Sequence, residues 1–122
     1  MIEVSDEQFQ ELINKALDSL PGEHAKNIEN VAILYQDFPD EEQREKTNLQ
    51  PYQTLLGLYE GVPLSRRQGM QPILPDKITL FKYPLQSKAG SLNELQGEIR
   101  HTLWHEIAHY YGLDHDKISE LE

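Results

Sequence analysis

Residues 100–117 read RHTLWHEIAHYYGLDHDK. His105 and His109 stand four apart, Glu106 directly follows the first, Gly112 comes three past the second, and His115 three past that. Immediately upstream, residues 91–99 read SLNELQGEI. Ser91 with Glu94 three later fits a capping box, in which a side-chain oxygen and a carboxyl satisfy the open amides of a helix start. From there Leu92, Leu95, Ile99, Leu103, Ile107 and Tyr110 fall in one stripe at 100° per residue. The spacing predicts a long final helix whose apolar stripe lies on a sheet. It puts the two imidazoles together on another face.

An i, i+4 pair sits one turn apart, so both rings can reach a single ion. Glu106 lies at the edge between the two faces and can point past the first ligand toward a water rather than at the metal. The helix must then stop. Carried on from His109 to His115, it would rise about 9 Å and take the third histidine away from the ion. Gly112 can adopt positive φ and end the helix in a left-handed cap, letting the chain fold back to present His115. Three histidine ligands leave a fourth position for water, the layout of a catalytic rather than a structural zinc site. Zn2+ brings such water near neutral pKa and polarises a carbonyl, with Glu106 as the base. The reaction class that follows is amide hydrolysis, in a peptide. Asp114, Asp116 and Glu120 flank the site, and any of them is an alternative third ligand or a group that orients a histidine ring. The plainer reading of each is an acidic residue in an exposed tail. His101, one turn before His105, is rotated away from the pair and reads as a surface residue, and His24 takes no role.

Working outward, residues 5–20 open with a second capping box, Ser5 with Gln8, and carry Phe9, Leu12, Ile13, Ala16, Leu17 and Leu20 at helical spacing. Pro21-Gly22 ends that helix, and a short helical turn is expected over residues 23–29. A β-branched and aromatic run predicts a buried strand over residues 31–36. Residues 39–54, PDEEQREKTNLQPYQT, are polar and without periodicity, and read as a long exposed loop. Leu55, Leu56, Leu58 and Tyr59 suit a short strand punctuated by Gly57, Gly61 and Pro63. Another strand is expected over residues 78–83, and it is a candidate edge against which an extended peptide could lie. Glu60, Arg66 and Arg67 suggest either a turn with a surface ion pair or a cation for a substrate carboxylate or oxyanion. Trp104 and Tyr111 beside the ligands read as packing residues, with Tyr111 also a candidate oxyanion donor.

The totals set the outer bounds. The 122 residues suit one domain. A formal charge of −10, from 21 acidic against 11 basic residues, disfavours nucleic-acid backbones and offers no polybasic handle for an anionic membrane. The absence of cysteine excludes disulfides, thiol nucleophiles and thiolate zinc sites, so any metal must use His, Asp or Glu. The start, MIEVSDEQFQ, is neither basic nor apolar enough for a signal peptide. The expectation is a cytoplasmic protein acting on a peptide or protein substrate.

Residues 105–115, HEIAHYYGLDH, resemble the extended metzincin pattern H-E-x-x-H-x-x-G-x-x-H. That likeness implies His105, His109 and His115 as ligands and Glu106 as general base. The chain departs from metzincins in lacking a methionine turn after the third ligand, since its methionines are Met1 and Met70. Along its whole length it is more similar to a small bacterial family of minimal zincin-like zinc metallopeptidases. ALDSLP, NVAILYQDFP, LLGLYEGVPLSRR, LPDKITLFKYPL and HTLWHEIAHYYGLD carry that resemblance in order. In that family the third ligand position is often acidic, and here it is His115. The likeness implies one α+β zincin-like domain over residues 1–122: an N-terminal helix, a small sheet and a C-terminal zinc-binding helix. The expected function is a zinc-dependent metallopeptidase. The alternatives are a non-catalytic, metal-stabilised interaction module and hydrolysis of a non-peptide amide at the same site.

Overall fold

In a computed structural model, which describes residues 1–20, 31–61 and 76–111, the first element is helix α1 (Asp6–Ser19). Its start is the predicted capping box: Ser5 accepts from the Gln8 amide, and the Gln8 side chain accepts from the Ser5 amide. Phe9, Ile13, Ala16 and Leu20 are buried, as their spacing requires. Strand β1 (Val31–Gln36) follows. Helix α2 (Glu41–Lys46) then occupies part of the stretch expected to be loop. It is held by a third capping box, Asp40 with Gln43, with Glu41 and Glu42 at its positive end and Arg44 and Lys46 at its negative end. The box was present in the sequence; what was absent was an apolar stripe, because a six-residue helix buries only Gln43. That glutamine exchanges two hydrogen bonds with Gln36 at the end of β1.

Strands β2 (Gly57–Glu60) and β3 (Asp76–Phe81) complete a three-stranded sheet in the order β1-β3-β2. β1 runs parallel to β3 and β2 antiparallel to it, with Gly57 opposite Leu80 and Tyr59 opposite Ile78. β3 is therefore internal, and it cannot be the edge for an extended peptide that residues 78–83 suggested. Nor does the strand reach Tyr83: Lys82 begins helix α3 (Lys82–Ser87). Pro84 sits in the first turn of α3, where its missing N–H costs no hydrogen bond and its fixed φ already suits a helix. The last element is α4 (Leu92–Tyr111). Ser91 accepts from the Glu94 amide, while the Glu94 carboxylate reaches back to the Gly90 amide.

Ile78 and Leu80 of β3, Phe9, Ile13 and Ala16 of α1, and Leu95, Ile99, Leu103 and Ile107 of α4 form one core. α1 packs against α4 and reaches β1 through Phe9, which meets Tyr35 edge-on at 5.4 Å. Leu92 alone of the predicted α4 stripe is exposed, at 50%. It lies in the first turn, before the helix reaches its partners. The architecture is the expected α+β arrangement of N-terminal helix, small sheet and C-terminal helix. No helix among the described residues is long and apolar enough to cross a membrane. The helical turn expected over residues 23–29 lies outside the described residues.

One buried charge ties the ends of this core together. Lys82 is 5% exposed, and its Nζ lies 2.8 Å from Asp6 Oδ1, whose side chain is 68% exposed. Asp6→Ala leaves that ammonium buried without its carboxylate, and should cost about 1–3 kcal/mol. Lys82→Met keeps the packed stem without the charge, and should stay within about 1 kcal/mol of wild type. Urea unfolding of the two variants reads the difference. Equal losses would show that the stem, not the pairing, matters.

A candidate metal centre on the last helix

α4 presents His105, Glu106 and His109 within a little over one turn, all partly buried. One donor atom from each lies within 4.8 Å of the others. The two imidazoles meet edge-on, centroids 4.9 Å apart and planes at 74°. The i, i+4 spacing does this directly, because Ile107 and Ala108 between them turn inward and are buried.

Glu106 is fixed from across the molecule. Its Oε1 accepts a hydrogen bond from the Tyr59 main-chain N–H of β2 at 3.0 Å. Burial pushes the Glu106 carboxyl up to about 7, against the pull of the Tyr59 amide, which favours the ionised form. β2 is held in turn at its other side. The Tyr59 hydroxyl donates to Asp76 Oδ2 at 2.6 Å, and a Cβ at Gly61 would collide with the Asp76 carboxyl. Two clefts of about 270 Å³ flank Glu106 along the seam between β2 and α4. One is walled by Leu55, Leu56, Gly57, His101, Thr102 and His105, the other by Leu58, Tyr59 and His109. The site is thus a shallow groove with the carboxylate in its middle.

The donor chemistry fits a zinc-type ion. Two imidazole nitrogens and a carboxylate oxygen are borderline-to-hard donors of the kind zinc takes. A carboxyl that burial alone holds near neutral pKa is a group that an adjacent cation would favour in its ionised form.

The other sequence candidates divide. His101 is exposed, its ring centroid 6.4 Å from that of His105, and it walls a cleft without joining the cluster. Trp104 is buried in the core. Tyr111 stands edge-on to Tyr110 at 5.0 Å, and burial, then Tyr110, pushes its phenol up and keeps it a protonated donor. Glu60 pairs with Lys46 at 2.7 Å and lies 3.7 Å from Lys77, the ion-pair reading of that residue. His115, Gly112, Asp114, Asp116, Glu120, Arg66, Arg67 and His24 lie outside the described residues. Sequence reasoning did not find the Tyr59 amide or the role of Gly57. A glycine inside a strand is the signal, since it marks a close backbone approach.

Among curated proteins, none matches this chain. The zincin-like metallopeptidase family does, over residues 28–122, which include β1, β2, β3, α2, α3 and the helix bearing the cluster. With that match across most of its length, the chain belongs to the zincin-like metallopeptidase family.

Proposed function

We propose that this protein is a zinc-dependent peptidase in which His105, His109 and His115 hold the metal and Glu106 is the general base. The observation that carries the reading is the partly buried carboxylate of Glu106 lying within 4.8 Å of two imidazole donors in the middle of a groove. The ion's share would be Lewis acidity, which acidifies water and polarises a carbonyl. The rest falls to the chain's own side chains. The Glu106 carboxylate, whose basicity burial raises in the metal-free chain, is placed to take a proton from water and return it to the amine that leaves. The Tyr59 amide holds Oε1, so Oε2 is the oxygen assigned to that proton. The net change is one water consumed, one C–N bond broken, and a carboxylic acid and an amine released.

A peptide substrate is favoured by the groove's other wall. Among the described residues β2 is an edge strand with β3 on one side, and the Leu56 carbonyl accepts from the Phe81 amide toward β3. Gly57 therefore directs its main-chain groups away from β3, where an extended chain can pair with them, while the Tyr59 N–H on the same side is held by Glu106. The test is a diverse peptide library incubated with zinc-loaded protein and read by mass spectrometry. New termini that disappear when a chelator is added are the expected result. Stoichiometric zinc with no cleavage across the library would favour the metal-stabilised interaction module instead.

A further inference from the structure

Gly57 faces α4 from β2, opposite Leu80 on the core side of the sheet. A Cβ built there would stand 2.7 Å from Thr102 Cγ2, 3.3 Å from Glu106 Cγ and 3.4 Å from Leu80 Cδ2. Carbon atoms in good contact sit about 3.5–4.0 Å apart, so the first of these contacts is forbidden and the second compressed. The glycine is needed for room, not for an unusual backbone angle.

Two residues on, the Tyr59 N–H reaches Glu106 Oε1 at 3.0 Å. Strand geometry makes residues 57 and 59 share a direction, so the separation of β2 from α4 at Gly57 also sets the reach of that amide. Tyr59 has little freedom to compensate, because its hydroxyl is bonded to the buried Asp76.

We propose that Gly57 is a positioning residue for Glu106. By lacking a side chain it lets β2 lie close enough on α4 for the Tyr59 amide to grip Oε1, which leaves Oε2 facing the reaction. This deepens the peptidase reading and rests on Glu106 being its base. Gly57→Ala separates the strand from the helix and loosens that grip. Thr102→Ser removes the methyl that the new Cβ would strike, so it should rescue Gly57→Ala.

Hydrogen exchange at the Tyr59 amide in the metal-free protein is the first readout, and kcat, KM and zinc affinity are the others. In Gly57→Ala the Tyr59 amide should exchange about tenfold faster or more, and kcat should fall about 10- to 100-fold. Zinc affinity should stay within about threefold, since His105 and His109 are untouched. Adding Thr102→Ser should recover most of both losses. Should Gly57→Ala fail to fold, replacing Tyr59 by its α-hydroxy acid removes the same N–H and should lower kcat with zinc affinity kept. Unchanged Tyr59 exchange in folded Gly57→Ala, no recovery in the double variant, or an ester protein with wild-type kcat would each overturn the inference. A wild-type protein that cleaves nothing, while Tyr59 exchange responds as expected, would sink the peptidase reading and leave the packing role of Gly57 standing.

Discussion

Glu106→Gln is expected to remove peptide hydrolysis and to make the metal-free fold more stable at alkaline pH. The first effect follows because glutamine cannot accept and return a proton. A positioned base contributes roughly 100- to 10,000-fold, and the loss should fall in kcat with zinc retained. The second follows from burial. The carboxyl titrates near 7 in the folded chain against 4.5 when free, so the folded state binds more protons between those values. Stability from this group is fully present below pH 4.5 and is lost as pH rises through 7. The loss amounts to about 3 kcal/mol, since each pKa unit between 4.5 and about 7 is worth roughly 1.36 kcal/mol. Glutamine keeps an oxygen for the Tyr59 amide but carries no charge. The variant should therefore exceed wild type by that amount at pH 8 and match it at pH 4. Urea unfolding of metal-free protein at pH 4, 6 and 8 reads this. Equal stability at pH 8 would show that the carboxylate is better solvated than its surroundings imply.

Stripping the metal is expected to have the other large effect. A ligand bound only by the folded chain stabilises it by about 4 kcal/mol at a thousand times its Kd. For a domain of this size a chelator should thus lower Tm by on the order of 15 °C. His105→Ala and His109→Ala should each weaken zinc binding by more than about 100-fold and abolish hydrolysis. The two rings act on one ion, so the double variant should lose little beyond either single change, and chelator should no longer move its Tm. Calorimetric melts with and without chelator measure the shift. A full chelator response in the double variant would place the stabilising ion elsewhere.

The parts of this fold that were legible in the sequence are those written by local rules. α1 and α4 announced themselves through Ser5-Gln8, Ser91-Glu94 and apolar spacing, and β1 through its β-branched and aromatic run, although that strand is half-buried with Leu34 exposed rather than buried as expected. His105, Glu106 and His109 could be grouped from spacing alone, since one helical turn fixes their relation. What escaped was set by partners distant in the chain. α2 shows no stripe because it buries one glutamine. α3 was hidden in an apolar run that continues β3 until Pro84 suits a helix better than a strand. The internal position of β3 depends on β2 closing one side and β1 the other, which no window of residues reveals. Glu106 and Tyr59 lie 47 residues apart, and the donor is a main-chain N–H that carries no residue identity. Only Gly57 left a trace of that contact.

Zinc K-edge X-ray absorption on stoichiometrically loaded protein tests most directly whether the imidazoles of α4 hold the metal beside Glu106. Nitrogen and oxygen neighbours are expected at about 2.0–2.1 Å, with outer scattering from at least two imidazole rings that vanishes when His105 and His109 are both replaced by alanine. A zinc shell without imidazole scattering, or the same spectrum from that double variant, would contradict that placement of the metal.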